Sequence, residues 1–68
     1  MTNSAMLRDK IKESGYKLQY LANSCGLSYQ GFIRKVDNKS YFNAHEIVIL
    51  RKILRLSPDE VELIFFTG

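Results

Sequence analysis

The stretch Lys17–Val36, KLQYLANSCGLSYQGFIRKV, constrains the fold of this chain more than any other. Leu18, Leu21, Ala22 and Cys25 fall at i, i+3, i+4 and i+7, the spacing that gives a helix one apolar face. Gly26 follows at once, where the chain leaves a helix through a conformation with φ > 0. After the apolar Leu27, Ser28 is a good N-cap for a second helix carrying Phe32 and Val36 on one side. The outward side of that second helix shows Tyr29, Gln30, Ile33 and Arg34. Two helices packed through such a turn, the second presenting phenol, amide and guanidinium groups, have the helix-turn-helix geometry that reads a DNA major groove.

The rest of the chain reads as three more short helices. The expected class is therefore all-α: one five-helix domain over residues 1–68, with the helix-turn-helix at about 17–36. The first helix runs from Ser4 or Ala5 to Ser14 with Leu7 and Ile11 inward, and Gly15 stops it. The third fades at Asp37-Asn38-Lys39-Ser40, a polar turn cluster. Asn43, with Glu46 three residues later, opens the fourth through a variant of the capping box, and Ile47, Leu50, Ile53 and Leu54 make its inward stripe. Arg51, Lys52 and Arg55 sit in its last turns, where cations suit the negative end of the helix dipole. In the fifth, Ser57 caps, Pro58 takes the first helical position, and Glu60 completes an S-x-x-E box. Val61, Ile64 and Phe65 then share a face that closes the core. No stretch has the strict alternation of a strand.

A 68-residue chain buries only ~60% of the surface its unfolded form exposes, so its stability depends on efficient helix packing, on a second copy or on a partner. One cysteine makes no disulfide within the chain, and one cysteine with one histidine cannot supply a four-ligand zinc site; no metal or cofactor is expected. No apolar run approaches the ~20 residues of a membrane span. The opening MTNSAMLRDKI lacks the basic-then-apolar order of a secretory signal, which makes a cytoplasmic setting the expectation. A glycine-rich phosphate loop, metal-ligand spacing and a nucleophile beside a base are all missing, which argues against an enzyme. The net charge of +3 is unevenly spread: residues 1–40 carry seven Lys/Arg against three Asp/Glu, and residues 41–68 carry three against four. The basic excess coincides with the helix-turn-helix half, as suits a surface facing a polyanion.

The run LRDKIKESGYKLQYLANSCGLSYQGFIRKVDNKSYF, followed by NAHEIVILRKILRLSPDEV, resembles the Cro/phage-repressor class of helix-turn-helix regulators, the lambda-repressor-like DNA-binding domains. The most specific parts are the Leu21-Ala22 pair, the Gly26-Leu27-Ser28 turn and the closing ILRLSPDE. The resemblance implies five helices, DNA binding through the third, and dimerisation on a palindromic operator. The family often has Gln at the first turn of the second helix, on a phosphate; here Leu18 stands there, which passes that role to Lys17 or Gln19. The third helix also runs one residue longer before its turn, with Val36 as inward anchor.

Base contacts are expected from Tyr29, Gln30, Ile33 and Arg34. A Gln amide pairs with adenine N6 and N7, and an Arg fork with guanine O6 and N7 or with a phosphate. Tyr29 suits a phosphate or a thymine methyl, and Ile33 either thymine methyls or the flank of the core. Backbone contacts are expected from Lys17, Gln19, Ser28, Lys35, Asn38, Lys39 and Ser40. Gly31 costs a helix interior ~1 kcal/mol relative to alanine. It lets the helix sit deep in the groove, or lets the second helix cross closely. Cys25 reads as core, and His45 as chemically idle. Leu63 and Phe66 fall partly outside the apolar face of the fifth helix and suggest a homodimer contact. Occupancy of a double-stranded operator by a phage- or mobile-element-like repressor is the leading expectation. The alternative is a protein-interaction module (an antirepressor or adaptor) on the same fold. A third is the DNA-binding half of an antitoxin, for which a toxin-binding tail is expected and this sequence ends too soon to show one.

Overall fold

Small polar residues set just ahead of apolar stripes start most of the helices. The computed structural model describes residues 1–66 and contains α1 (Ser4–Ser14), α2 (Leu18–Ser24), α3 (Tyr29–Val36), α4 (Ala44–Leu54) and α5 (Pro58–Phe65). Thr67 and Gly68 lie outside the described residues, among which there is no strand and no helix long and apolar enough to cross a membrane. The Asn3 side chain accepts from Met6 N at α1, and Ser28 Oγ accepts from Gly31 N at α3. Asn43 with Glu46, and Ser57 with Glu60, close reciprocal capping boxes at α4 and α5. Lys17 precedes α2 in an extended conformation and makes no side-chain cap.

The helix ends are equally local. After α2, Gly26 adopts φ 73°, Gly26 N donates to Asn23 O (3.0 Å) and Leu27 N to Ala22 O (2.9 Å), the paired bonds of a Schellman turn. The end of α3 repeats the pattern with Asn38 at φ 66°, Asn38 N on Lys35 O (3.2 Å) and Lys39 N on Arg34 O (2.8 Å). Arg55, φ 54°, closes α4 in the left-handed region, one residue past the last helical position.

The core forms where the inward stripes meet. Leu7, Leu21, Ala22, Phe32, Val36, Leu50 and Ile64 are completely buried, and Ile11, Leu56 and Phe65 nearly so. Ile47, Ile53, Leu54 and Val61, expected inside, are half-buried and pack against this cluster from its edge. Phe42 comes from the loop between α3 and α4 and meets Phe32 (6.0 Å between centroids) and Phe65 (5.5 Å), both edge to face. The segment before α1 is tied down at two places. Asn3 N donates to Ile64 O in α5 (2.6 Å), and Thr2 N donates to Asn38 Oδ1 after α3 (3.1 Å). Arg8 Nη2 reaches Asp37 Oδ1 at 2.7 Å and joins α1 to the same turn, an exposed pair that contributes little stability. Lys10 pairs with Glu60 between α1 and α5; that hydrogen bond raises the Lys10 ammonium above its ordinary value and holds the Glu60 carboxyl below its own.

Candidate nucleic-acid interface

Phe32 and Val36 take the inward side of α3, which leaves Tyr29, Gln30 and Arg34 exposed and Ile33 at the edge of the core. Tyr29, Gln30, Ile33 and Arg34 line one open depression of about 320 Å³ on the outer surface of α3. The four expected base contacts are thus neighbours on one surface. Gln30 and Arg34 are exposed, one turn apart, and Tyr29 flanks them at the start of the helix. Ile33 is half-buried: it packs on the edge of the core, as one of its expected roles requires, and also lines the depression. α2 packs directly on α3, and Leu21 and Ala22 are buried between them and the rest of the core.

Gly31 has no α2 atom near it. A Cβ built there meets one atom, Ser28 Oγ at 3.0 Å, which is the oxygen that caps α3 through Gly31 N. The close-crossing explanation is therefore excluded. Local room for the Ser28 cap and a bare outer surface remain.

Apart from Lys35, in the last turn of α3, the expected backbone contacts lie on the segments flanking that helix. Lys17 and Gln19 are exposed at the start of α2, where Gln19 Nε2 donates to Asn23 Oδ1 (2.9 Å). Ser28 is exposed with its oxygen engaged in the cap, Lys39 is exposed, and Ser40 is half-buried. Asn38 is half-buried, and its side-chain oxygen holds Thr2 N, so its first task is to fix the turn. Lys35 stands apart from the other cations. Its Nζ lies 2.7 Å from Glu46 Oε1 and 2.9 Å from Oε2, and its side chain is only 18% exposed. The sequence offered no hint of this pair, because the two residues are eleven apart and Glu46 looked like a helix cap alone. Among the described residues, ion pairs engage Arg8, Lys10 and Lys35 and leave seven cations without an acidic partner: Lys17, Arg34 and Lys39 on and around α3, and Lys12, Arg51, Lys52 and Arg55 elsewhere. Free cations therefore lie on α3 and on both segments flanking it.

Cys25 is buried, and burial pushes its thiol up to about 11, with the Glu46 carboxylate adding and the Lys35 ammonium opposing. It remains a neutral thiol near neutral pH and packs as a small apolar group. His45 is exposed on the first turn of α4. Leu63 and Phe66 are 48% and 65% exposed. Phe66 shares a hollow of about 280 Å³ with Met1, Tyr41 and Phe65, whereas Leu63 does not line it. Met1 and Tyr41, exposed large apolar side chains that periodicity could not place, enlarge the apolar patch around Phe66.

The chain matches no protein-family model, no curated protein and no solved structure.

Proposed function

We propose that this chain is a sequence-specific DNA-binding transcriptional regulator of the lambda-repressor-like helix-turn-helix kind, with α3 entering the major groove. The observation that carries the reading is the outer surface of α3. One face of an eight-residue helix presents an amide, a guanidinium, a phenol and a branched aliphatic group side by side, with unpaired cations on the segments before and after it. Amide and guanidinium groups are the side chains that pair bidentately with adenine and guanine edges. Lys17, Lys39 and the polar groups of Gln19, Ser28, Asn38 and Ser40 are placed to meet the sugar-phosphate backbone on either side.

The operator is a palindrome read by a homodimer. One copy carries one reading helix, α3, and the two half-sites of a palindrome lie ~34 Å apart, one helical turn. Two copies are needed to read both halves, and Leu63 and Phe66 supply the apolar contact between them. A phage- or mobile-element-like repressor that acts by occupying its site needs no cofactor and no catalytic group, and a cytoplasmic setting suits its lone thiol. The patch around Phe66, Met1 and Tyr41 favours a second reading, a protein-interaction module on the same fold.

Selection of bound sequences from random duplex DNA at two salt concentrations separates the two readings. The regulator enriches a palindromic motif, and its affinity falls steeply with salt because phosphate contacts release counterions. Gln30→Ala is expected to fold normally and to lose discrimination at one base pair per half-site, worth ~1–3 kcal/mol. Absence of DNA binding at low salt overturns the regulator and leaves the protein-partner reading.

A further inference from the structure

We propose that Glu46 is a specificity-determining residue, an internal counter-ion that holds the Lys35 ammonium off the DNA backbone and leaves discrimination to the neighbouring Arg34 and Gln30. The inference rests on the regulator reading above.

Lys35 lies in the last turn of α3, next in sequence to Arg34. A lysine there is well placed to bind any phosphate, whatever the base sequence. The structure turns it instead toward α4, with Nζ on both oxygens of Glu46 at 2.7 and 2.9 Å. The carboxylate is itself buried and hydrogen-bonded. Its residue is 4% exposed, Oε1 also accepts from Asn43 N at 2.9 Å, and Glu46 N donates to Asn43 Oδ1 at 2.8 Å. No other acidic side chain pairs with Lys35 among the described residues.

Two consequences follow. The charge of Lys35 is spent inside the protein and adds nothing to sequence-independent attraction. The ion pair also clasps the end of α3 to the first turn of α4, so the angle at which Arg34 leaves the surface is set partly by a residue that never touches DNA. Removing the carboxylate charge releases a lysine at the edge of the reading surface. Affinity for any DNA then rises while discrimination falls.

The test compares wild type, Glu46→Gln and the double variant Lys35→Met with Glu46→Gln. Glutamine keeps the volume and the cap acceptor, and the double variant leaves no buried charge unpaired, which protects its folding. For each, the slope of log affinity against log salt is measured on random-sequence duplex, and the enriched motif is selected. One added phosphate contact steepens the slope by about 0.9. The expected result is a wild type and a double variant of equal slope, with Glu46→Gln steeper by that amount and its motif weakened. A double variant shallower than wild type by about 0.9 means that Lys35 already binds phosphate, and overturns the proposal. So does a folded Glu46→Gln with the slope and motif of wild type. If Glu46→Gln does not fold, the wild-type and double-variant slopes decide by themselves. A wild type that binds no DNA overturns the regulator reading and this inference together, an outcome distinct from either slope result.

Discussion

Gly31 is the residue whose sequence cost has the most local explanation. A glycine at the third position of α3 gives up ~1 kcal/mol of helix propensity, and the only atom a methyl group would crowd is the oxygen of Ser28 that caps the helix. Gain and loss nearly cancel, since loss of a serine cap typically costs ~1 kcal/mol. Gly31→Ala is therefore expected to shift stability by less than about 0.5 kcal/mol in urea unfolding, the ordinary range for a surface change. DNA affinity is a separate matter: with α3 seated closely in the groove, the same methyl lowers it about tenfold, or ~1.4 kcal/mol, in a titration on the selected operator. Unchanged affinity would show that α3 does not approach DNA at this position. Cys25 illustrates the opposite case, a reactive residue type that burial makes inert.

Among the elements, the ends of the helices carry most of the local instruction, and one of them is strained. Gly26 takes φ 73° without steric cost, whereas Arg55 takes φ 54° with a Cβ in place. The left-handed conformation is needed there because Leu56 N must reach back to Arg51 O (3.0 Å) so that Leu56 can enter the core. Arg55→Gly relieves the crowding of a side chain in that region, a penalty of roughly 1–2 kcal/mol, against a larger entropy loss on folding of about 0.5–1 kcal/mol. A net gain of about 0.5–1 kcal/mol is the expectation, read as a raised melting temperature in circular dichroism. A lowered melting temperature would mean that the guanidinium stabilises the end of α4 by more than the backbone strain costs. The periodic stripes of α1 to α5 were readable because each element announces itself locally, through Ser28, Asn43, Ser57 and Gly26. Phe42 and Leu56 were not readable as core. Each lies in a connection, where no period exists (Phe42 beside an exposed Tyr41), and it is buried because two helices arrive on either side of it.

For the whole molecule, the question is what completes so small a core. The segment before α1 binds both α5, through Asn3 N and Ile64 O, and the turn after α3, through Thr2 N and Asn38 Oδ1. It thereby links the apolar hollow around Phe66 to the segment carrying Lys39 and Ser40. Phe66→Ser is expected to leave the monomer folded, because that side chain is 65% exposed and adds little to the core. In sedimentation equilibrium it should shift the population toward single chains, and on a palindromic operator it should abolish cooperative filling of the two half-sites. Wild-type protein that stays a single chain at high concentration, and also on DNA, would exclude Phe66 as a subunit contact.

The five helices, the caps Ser28, Asn43 and Ser57, the turn at Gly26 and the set Tyr29, Gln30, Ile33 and Arg34 were legible in the order of residues, since each depends on residues within about one or two helical turns of one another. Short-range hydrogen bonds and the 3.6-residue period are written in neighbouring letters. Packing in three dimensions brings Lys35 to Glu46, Asp37 to Arg8 and the Asn38 oxygen to Thr2, and sets Phe42 between Phe32 and Phe65. Those partners are distant in the chain and meet because packing the apolar faces sets the helices at particular angles. A side-chain charge finds its counter-ion through that packing, and the order of the residues alone does not contain it.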